Sequence, residues 1–175
     1  MGKVDIAVIV GSDSDLEIIN ETIKVLKEFN VPHSLNIASA HRTVEHLKSC
    51  VEIAQANGVK VFIAGAGMAA ALPGVVAAET CLPVIGVPMK GSSLSSFDSL
   101  FSIVQMPKGV PVATVAVGKT GAANAAVLAI QIIAVSDEEL NKKLKEYRKN
   151  MAKQAIEKDM HLQALGIEKY MQEKL

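Results

Sequence analysis

Tryptophan is absent from this chain of 175 residues, and aromatic side chains make up only 3% of it. Proteins that bind single-stranded nucleic acid stack bases on aromatic rings and usually carry a basic excess. Eighteen basic residues balance eighteen acidic ones here, so neither signal is present and no nucleic-acid partner is expected. Cysteine is scarce too. Cys50 and Cys81 lack a CxxC neighbour or a nearby histidine pair, so no disulfide framework or metal site is expected. Both read as buried, reduced thiols of a cytoplasmic protein. A long apolar run is also missing: "GAANAAVLAIQIIAV" is interrupted by Asn124 and Gln131 and is too short for a membrane span. The start, "MGKVDIAVIV", has no charged leader with a cleavage site, and Ile6 stands where a myristoylation signal needs Ser or Thr.

Half of the residues are apolar, and Ala, Val and Ile supply much of that share. Side chains this small let helices and sheets approach closely, so tight layers and subunit contacts are expected. Short β-branched runs alternate with longer helical ones. "VDIAVIV", "HSLNI", "VKVFIAG", "LPVIGVP" and "VATVAVG" read as five strands, each followed by a helical segment. One of those helices is expected from about Val44 to Ala56. Continuous apolar strands separated by helices imply a parallel sheet covered on both faces, hence a three-layer α/β/α domain. The character changes after "SDEEL", where Ser136 and Glu139 suggest a capping box opening a Lys- and Glu-rich helix. A second helix is expected from about Met160. We therefore expect one α/β domain over residues 1–140 and a helical extension over 141–175, either solvated or packed on a neighbouring subunit.

Ligands of open parallel sheets bind beyond the carboxyl ends of the strands. The five turns there read "GSDSD", "ASAHRT", "GAGMAAALPG", "PMKGSSLSS" and "GKTGAANAA". Their Gly, Ala and Ser residues leave backbone amides accessible. In the first, Ser12, Ser14 and the free amides suit an anion at a helix start, and Asp15 suits ribose hydroxyls. The competing expectation is a plain helix cap made by Ser14 and Glu17. Asp13 and Asp15 are spaced like the DxD of haloacid-dehalogenase-type phosphatases, but Glu17 and Gly11-Ser12 depart from that pattern. "GAGMAA" partly fits a dinucleotide fingerprint, yet it follows the third strand and no acidic residue follows to hold a ribose.

In the second turn His41 and Arg42 stand side by side. An imidazole gives and takes protons near neutral pH, with an ordinary pKa of ~6.5. A guanidinium keeps its charge and grips phosphate or carboxylate with two parallel bonds. The plainer expectation is a helix N-terminus with Thr43 as cap and His41 exposed by chance. His33, His46 and His161 read as structural.

With these turns in view, the chain closely resembles the class I N5-carboxyaminoimidazole ribonucleotide mutases of purine biosynthesis, the PurE family of phosphoribosylaminoimidazole carboxylase catalytic subunits. The resemblance rests on "GSDSD", "SAHRT", "AGAG.AA.LPG", "LPVIGVP", "DSLFSIVQMPKGVPVATVAVG" and "GAANAA.LA", in order, from residue 4 to about 135. It implies a flavodoxin-like domain, a homo-octamer with active sites between subunits, and no cofactor. It also implies movement of a carboxylate from an exocyclic nitrogen to ring carbon C4 of a small ribonucleotide. By matched position, His41 would be the acid–base residue. Ser12, Asp15, Arg42 and Ser39 would bind the substrate. Many members read "GAGGAAHLPG" where this chain has Met68 and Ala71, which leaves His41 as the one proton carrier of the set. Two alternatives stay open. One is the class II relative, which carboxylates aminoimidazole ribonucleotide with free carbon dioxide and tends to carry Lys where this chain has Arg42. The other is a non-catalytic nucleotide-binding module.

Overall fold

A computed structural model describes residues 4–91 and 93–173. Five strands form one parallel sheet: β1 (Ile6–Val10), β2 (His33–Ile37), β3 (Val61–Ala66), β4 (Val84–Pro88) and β5 (Ala113–Thr114). Their spatial order is β2-β1-β3-β4-β5, the flavodoxin-like winding. Helices α1 (Leu16–Glu28), α2 (Val44–Ala56), α3 (Leu72–Ala78), α4 (Phe97–Val104) and α5 (Lys119–Ala134) follow the strands in turn.

The three central strands are buried along their whole length. Successive strand side chains point to opposite faces, so a strand buried on both must be apolar throughout. Ala7, Ile9, Phe62 and Ala64 pack with Leu47 and Val51 of α2, Leu72 and Val76 of α3, and Ile103 of α4. The intervening Ile6, Val8, Ile63 and Ile85 are equally buried and face the opposite layer of α1 and α5. Those two helices are joined where the buried Thr22 hydroxyl donates to the Ala122 carbonyl at 2.7 Å. At Gly86 a Cβ would strike Ile103 Cγ2 and come within 2.8 Å of Val112 Cγ1, so α4 sits against bare backbone.

Strand β2 and helix α2 have the expected bounds, whereas the fifth strand is much shorter than "VATVAVG" suggested. It is an edge strand, with β4 as its only ladder partner among the described residues. The chain nevertheless stays beside β4: Val115 N–H donates to the Gly86 carbonyl at 3.1 Å and Gly118 N–H to the Pro88 carbonyl at 2.9 Å.

Residues up to Ile133 form one compact unit and those from Ala134 a second. The second carries the long helix α6 (Glu138–Leu165) and the short α7 (Ile167–Glu173). The cap of α6 is Asp137, not Ser136: its carboxylate accepts the Leu140 N–H at 3.0 Å. A carboxylate at that position also meets the positive end of the helix dipole, which a hydroxyl does less well. Within this unit His161 Nε2 lies 2.7 Å from Glu173 Oε2, linking α6 to α7. Cys50 is buried as expected, but Cys81 is exposed because it sits in the turn between α3 and β4. No helix among the described residues is long and apolar enough to cross a membrane.

Candidate active site

In the order β2-β1-β3-β4-β5 the connections diverge between β1 and β3, one leading outward to β2 and the other to β4. A crevice forms at such a switch point because the two turns leave in opposite directions. A cleft of about 520 Å³ lies there, a size suited to a small ligand. The turns after β1, β2, β3 and β4 line it, and the fifth turn does not. All five residues singled out by position, Ser12, Asp15, Ser39, His41 and Arg42, reach this one cleft.

The first turn is organised by its own side chains. Ser12 caps a single 3-10 turn, Asp13–Asp15, by accepting the Ser14 N–H at 3.3 Å. Its hydroxyl also donates to Asp13 Oδ1 and receives the Ser14 hydroxyl, both at 3.0 Å. The expected cap between Ser14 and Glu17 does not form. Helix α1 begins at Leu16, and Glu17 instead accepts a bond from Lys119 Nζ at 2.7 Å. That bond, and the charge behind it, hold the Glu17 carboxyl below its ordinary value and raise Lys119. Asp15, partly buried at the foot of the turn, is pushed up. Burial is the main cause; a backbone hydrogen bond from Ser12 opposes it and the Asp13 charge adds to it.

The second turn is tied to the first. Ser39 N–H donates to Thr43 Oγ1 at 2.8 Å, and the Thr43 hydroxyl returns a bond to the Ser39 carbonyl at 3.2 Å. Thr43 is the residue preceding α2, yet its hydroxyl caps no helix N–H. This closed loop leaves His41 and Arg42 exposed. Arg42 spends Nε on Ser39 Oγ at 3.4 Å and Nη2 on the Gly11 carbonyl at 3.5 Å. Both bonds are long, and a guanidinium has five N–H donors, so it retains strong directions for an anion. The His41 ring has no hydrogen-bond partner among the described residues and is free to meet a ligand.

The third turn contributes a wall of small apolar residues. Met68 stands at φ +56° and is 71% exposed, at a cost that glycine would avoid. That explains why glycine suits the position in the resembled family. The fourth turn stands out in the sequence only as a whole. Its Met89, buried beneath the cleft, and Lys90, exposed at the edge, both line the site. The one available signal was a lone lysine directly after an apolar strand. Among the described residues no group of three or more His, Cys, Asp and Glu is placed to hold a metal ion.

Fold and site together define a doubly wound parallel α/β protein with a small-molecule cleft at its switch point. Within that class the chain belongs to the AIR carboxylase family, which it matches over residues 5–154. The N5-carboxyaminoimidazole ribonucleotide mutase of Pyrococcus horikoshii is 48% identical over 168 residues, covering 96% of this chain and 94% of that protein. The Escherichia coli protein of the same name is 49% identical over 152 residues, covering 87% and 90%. The crystal structure of Treponema denticola PurE superposes with a TM-score of 0.83 at 30% identity, covering 91% of this chain and 99% of that one.

Proposed function

We propose that this protein is an N5-carboxyaminoimidazole ribonucleotide mutase, an isomerase of purine biosynthesis that works on its ribonucleotide without a cofactor. The observation that carries this reading is near-50% identity, over nearly the full length of both chains, to proteins bearing that name. The cleft supports it, since a proton carrier, a guanidinium, three serines and a carboxylate line one space.

In this reading His41, protonated, gives its proton to the exocyclic nitrogen as the nitrogen–carboxylate bond breaks. The electron pair stays on nitrogen and carbon dioxide is released. Ring carbon C4 then attacks the carbon dioxide, and the neutral imidazole of His41 takes the proton that C4 loses. Every atom is returned, so the net change is an isomerisation. Proton transfer by a placed side chain supplies ~10²–10⁴-fold in rate. Holding carbon dioxide beside the ring supplies an effective-concentration gain, and the wall of Ala66, Gly67, Ala69 and Ala70 offers it no competing nucleophile. Ser12, Ser39, Asp15 and Arg42 hold the nucleotide. The enzyme works in the cytoplasm as a homo-octamer, and its extension over residues 141–175 packs on a neighbouring subunit.

The family's own description, AIR carboxylase, favours one second reading: carboxylation of aminoimidazole ribonucleotide by free carbon dioxide. Purified protein offered N5-carboxyaminoimidazole ribonucleotide, or aminoimidazole ribonucleotide with low bicarbonate, separates the two. Turnover from the first alone is expected, with a loss of ~10²-fold or more in His41→Asn. Efficient turnover from the second would make it a carboxylase, and turnover from neither would leave a binding module.

A further inference from the structure

Two cations line the cleft, and they come from opposite sides of the switch point between β1 and β3. Arg42 follows β2 and Lys90 follows β4, with β1 and β3 between them. Three interstrand steps of ~4.8 Å put their backbones ~14 Å apart, a gap that two long side chains narrow to the span of a nucleotide.

The two ends differ in chemistry. Around Arg42 stand the hydroxyls of Ser12 and Ser39 and unspent guanidinium N–H groups, a set suited to a dianionic phosphate. Towards Lys90 the lining turns apolar, with Ala66, Gly67, Met68 and Met89, which suits the flat face of a ring. The turn after β5, which does not line the cleft, passes beside the root of Lys90. A Cβ at Gly118 would lie 3.5 Å from Lys90 Cβ, and Gly118 N–H is bonded to the Pro88 carbonyl at 2.9 Å. Lys90 forms an ion pair with no carboxylate among the described residues, so its field into the cleft is not cancelled by a near neighbour.

We propose that Lys90 binds the substrate's carboxylate, so that the nucleotide lies across the strand ends with its phosphate at Arg42 and its carboxylate at Lys90. This rests on the mutase reading above. A lysine is a compact point charge and matches a monoanion that needs no bidentate partner. The placement has a kinetic signature. As the carboxylate becomes neutral carbon dioxide its charge disappears, so Lys90 holds substrate and product more strongly than the transition state. Removing the charge therefore weakens binding without lowering kcat.

The test compares wild type, Lys90→Gln and Lys90→Arg. Calorimetric binding at low ionic strength is measured for aminoimidazole ribonucleotide, which has a phosphate only, and for 4-carboxy-5-aminoimidazole ribonucleotide, which has both anions. Lys90→Gln is expected to weaken the carboxylated nucleotide about tenfold and the other less than twofold, with Lys90→Arg close to wild type. Its KM for the N5-carboxylated substrate should rise while kcat holds or increases. Equal weakening of both nucleotides would move Lys90 to the phosphate and overturn the proposal. So would unchanged binding of both, or a fall in kcat. Wild-type protein that binds the nucleotides but turns over neither substrate would instead overturn the mutase reading.

Discussion

Asp15 is held at the foot of the β1 turn with its carboxyl raised above the ordinary value of 3.8, chiefly by burial. A raised carboxyl makes ionisation costly in the folded state. That cost is absent below pH 3.8, where the group is protonated in both states, and is complete above the folded value. Asp15→Asn should therefore melt higher than wild type at neutral pH, with the gain shrinking as the pH falls towards 3.8. Melting curves at both ends of that window check this, and an offset that does not change with pH would refute it. In the proposed function Asp15 holds the nucleotide, so the same variant should also lose affinity for it, a binding group being kept at the expense of stability. At this scale His41, Arg42, Ser12, Ser39 and Asp15 were all legible, because their types stand in short ordered motifs. Lys90 was legible only as part of its turn, one of the five expected to meet a ligand; that its own side chain lines the cleft depends on the fold. The strain at Met68 was equally hidden, since a φ of +56° is a property of the folded turn.

Helices and strands were legible where neighbours in sequence decide them. β2 and α2 follow from apolar periodicity and from the punctuation around Pro32 and Asn57-Gly58. Caps were less so. Glu17 is drawn away from Ser14 by Lys119, which arrives from the far end of the unit, and at α6 the stronger acceptor Asp137 displaces Ser136. β5 is short although β2, the other edge strand, keeps a full register, and its two paired residues are partly exposed rather than buried. Packing between elements is tightest at Gly86 on the α4 side of the sheet. Gly86→Ala places a methyl against Ile103 of α4 and Val112 beside β5, an overpacking that costs about 1–3 kcal/mol. For a chain of this length that is a fall of ~2–4 °C in Tm per kcal/mol. An unchanged Tm would mean that α4 yields without loss.

For the whole molecule the exposed apolar surface is the telling feature. Leu94, Phe97, Phe101 and Val104, on and beside α4, are each 48–63% exposed, and the two rings stack with centroids 5.9 Å apart. A grouped apolar patch of this kind marks a contact surface. The proposed homo-octamer needs such surfaces. Phe97→Glu together with Phe101→Glu is therefore expected to give a smaller species by light scattering, with circular dichroism of the fold retained. An unchanged mass would remove α4 from the assembly contacts.

The alternation of apolar strands with helices, the depth of the core and the composition of each turn were determined by the sequence itself. Each depends on residues a few positions apart, whose periodicity and turn chemistry act locally. The tertiary structure alone decided which turns meet. The order β2-β1-β3-β4-β5 opens the crevice between β1 and β3 and leaves the fifth turn outside it, beside the root of Lys90. Strand order is set by which faces bury best against one another across the whole chain, a balance of long-range packing that no short stretch of residues records.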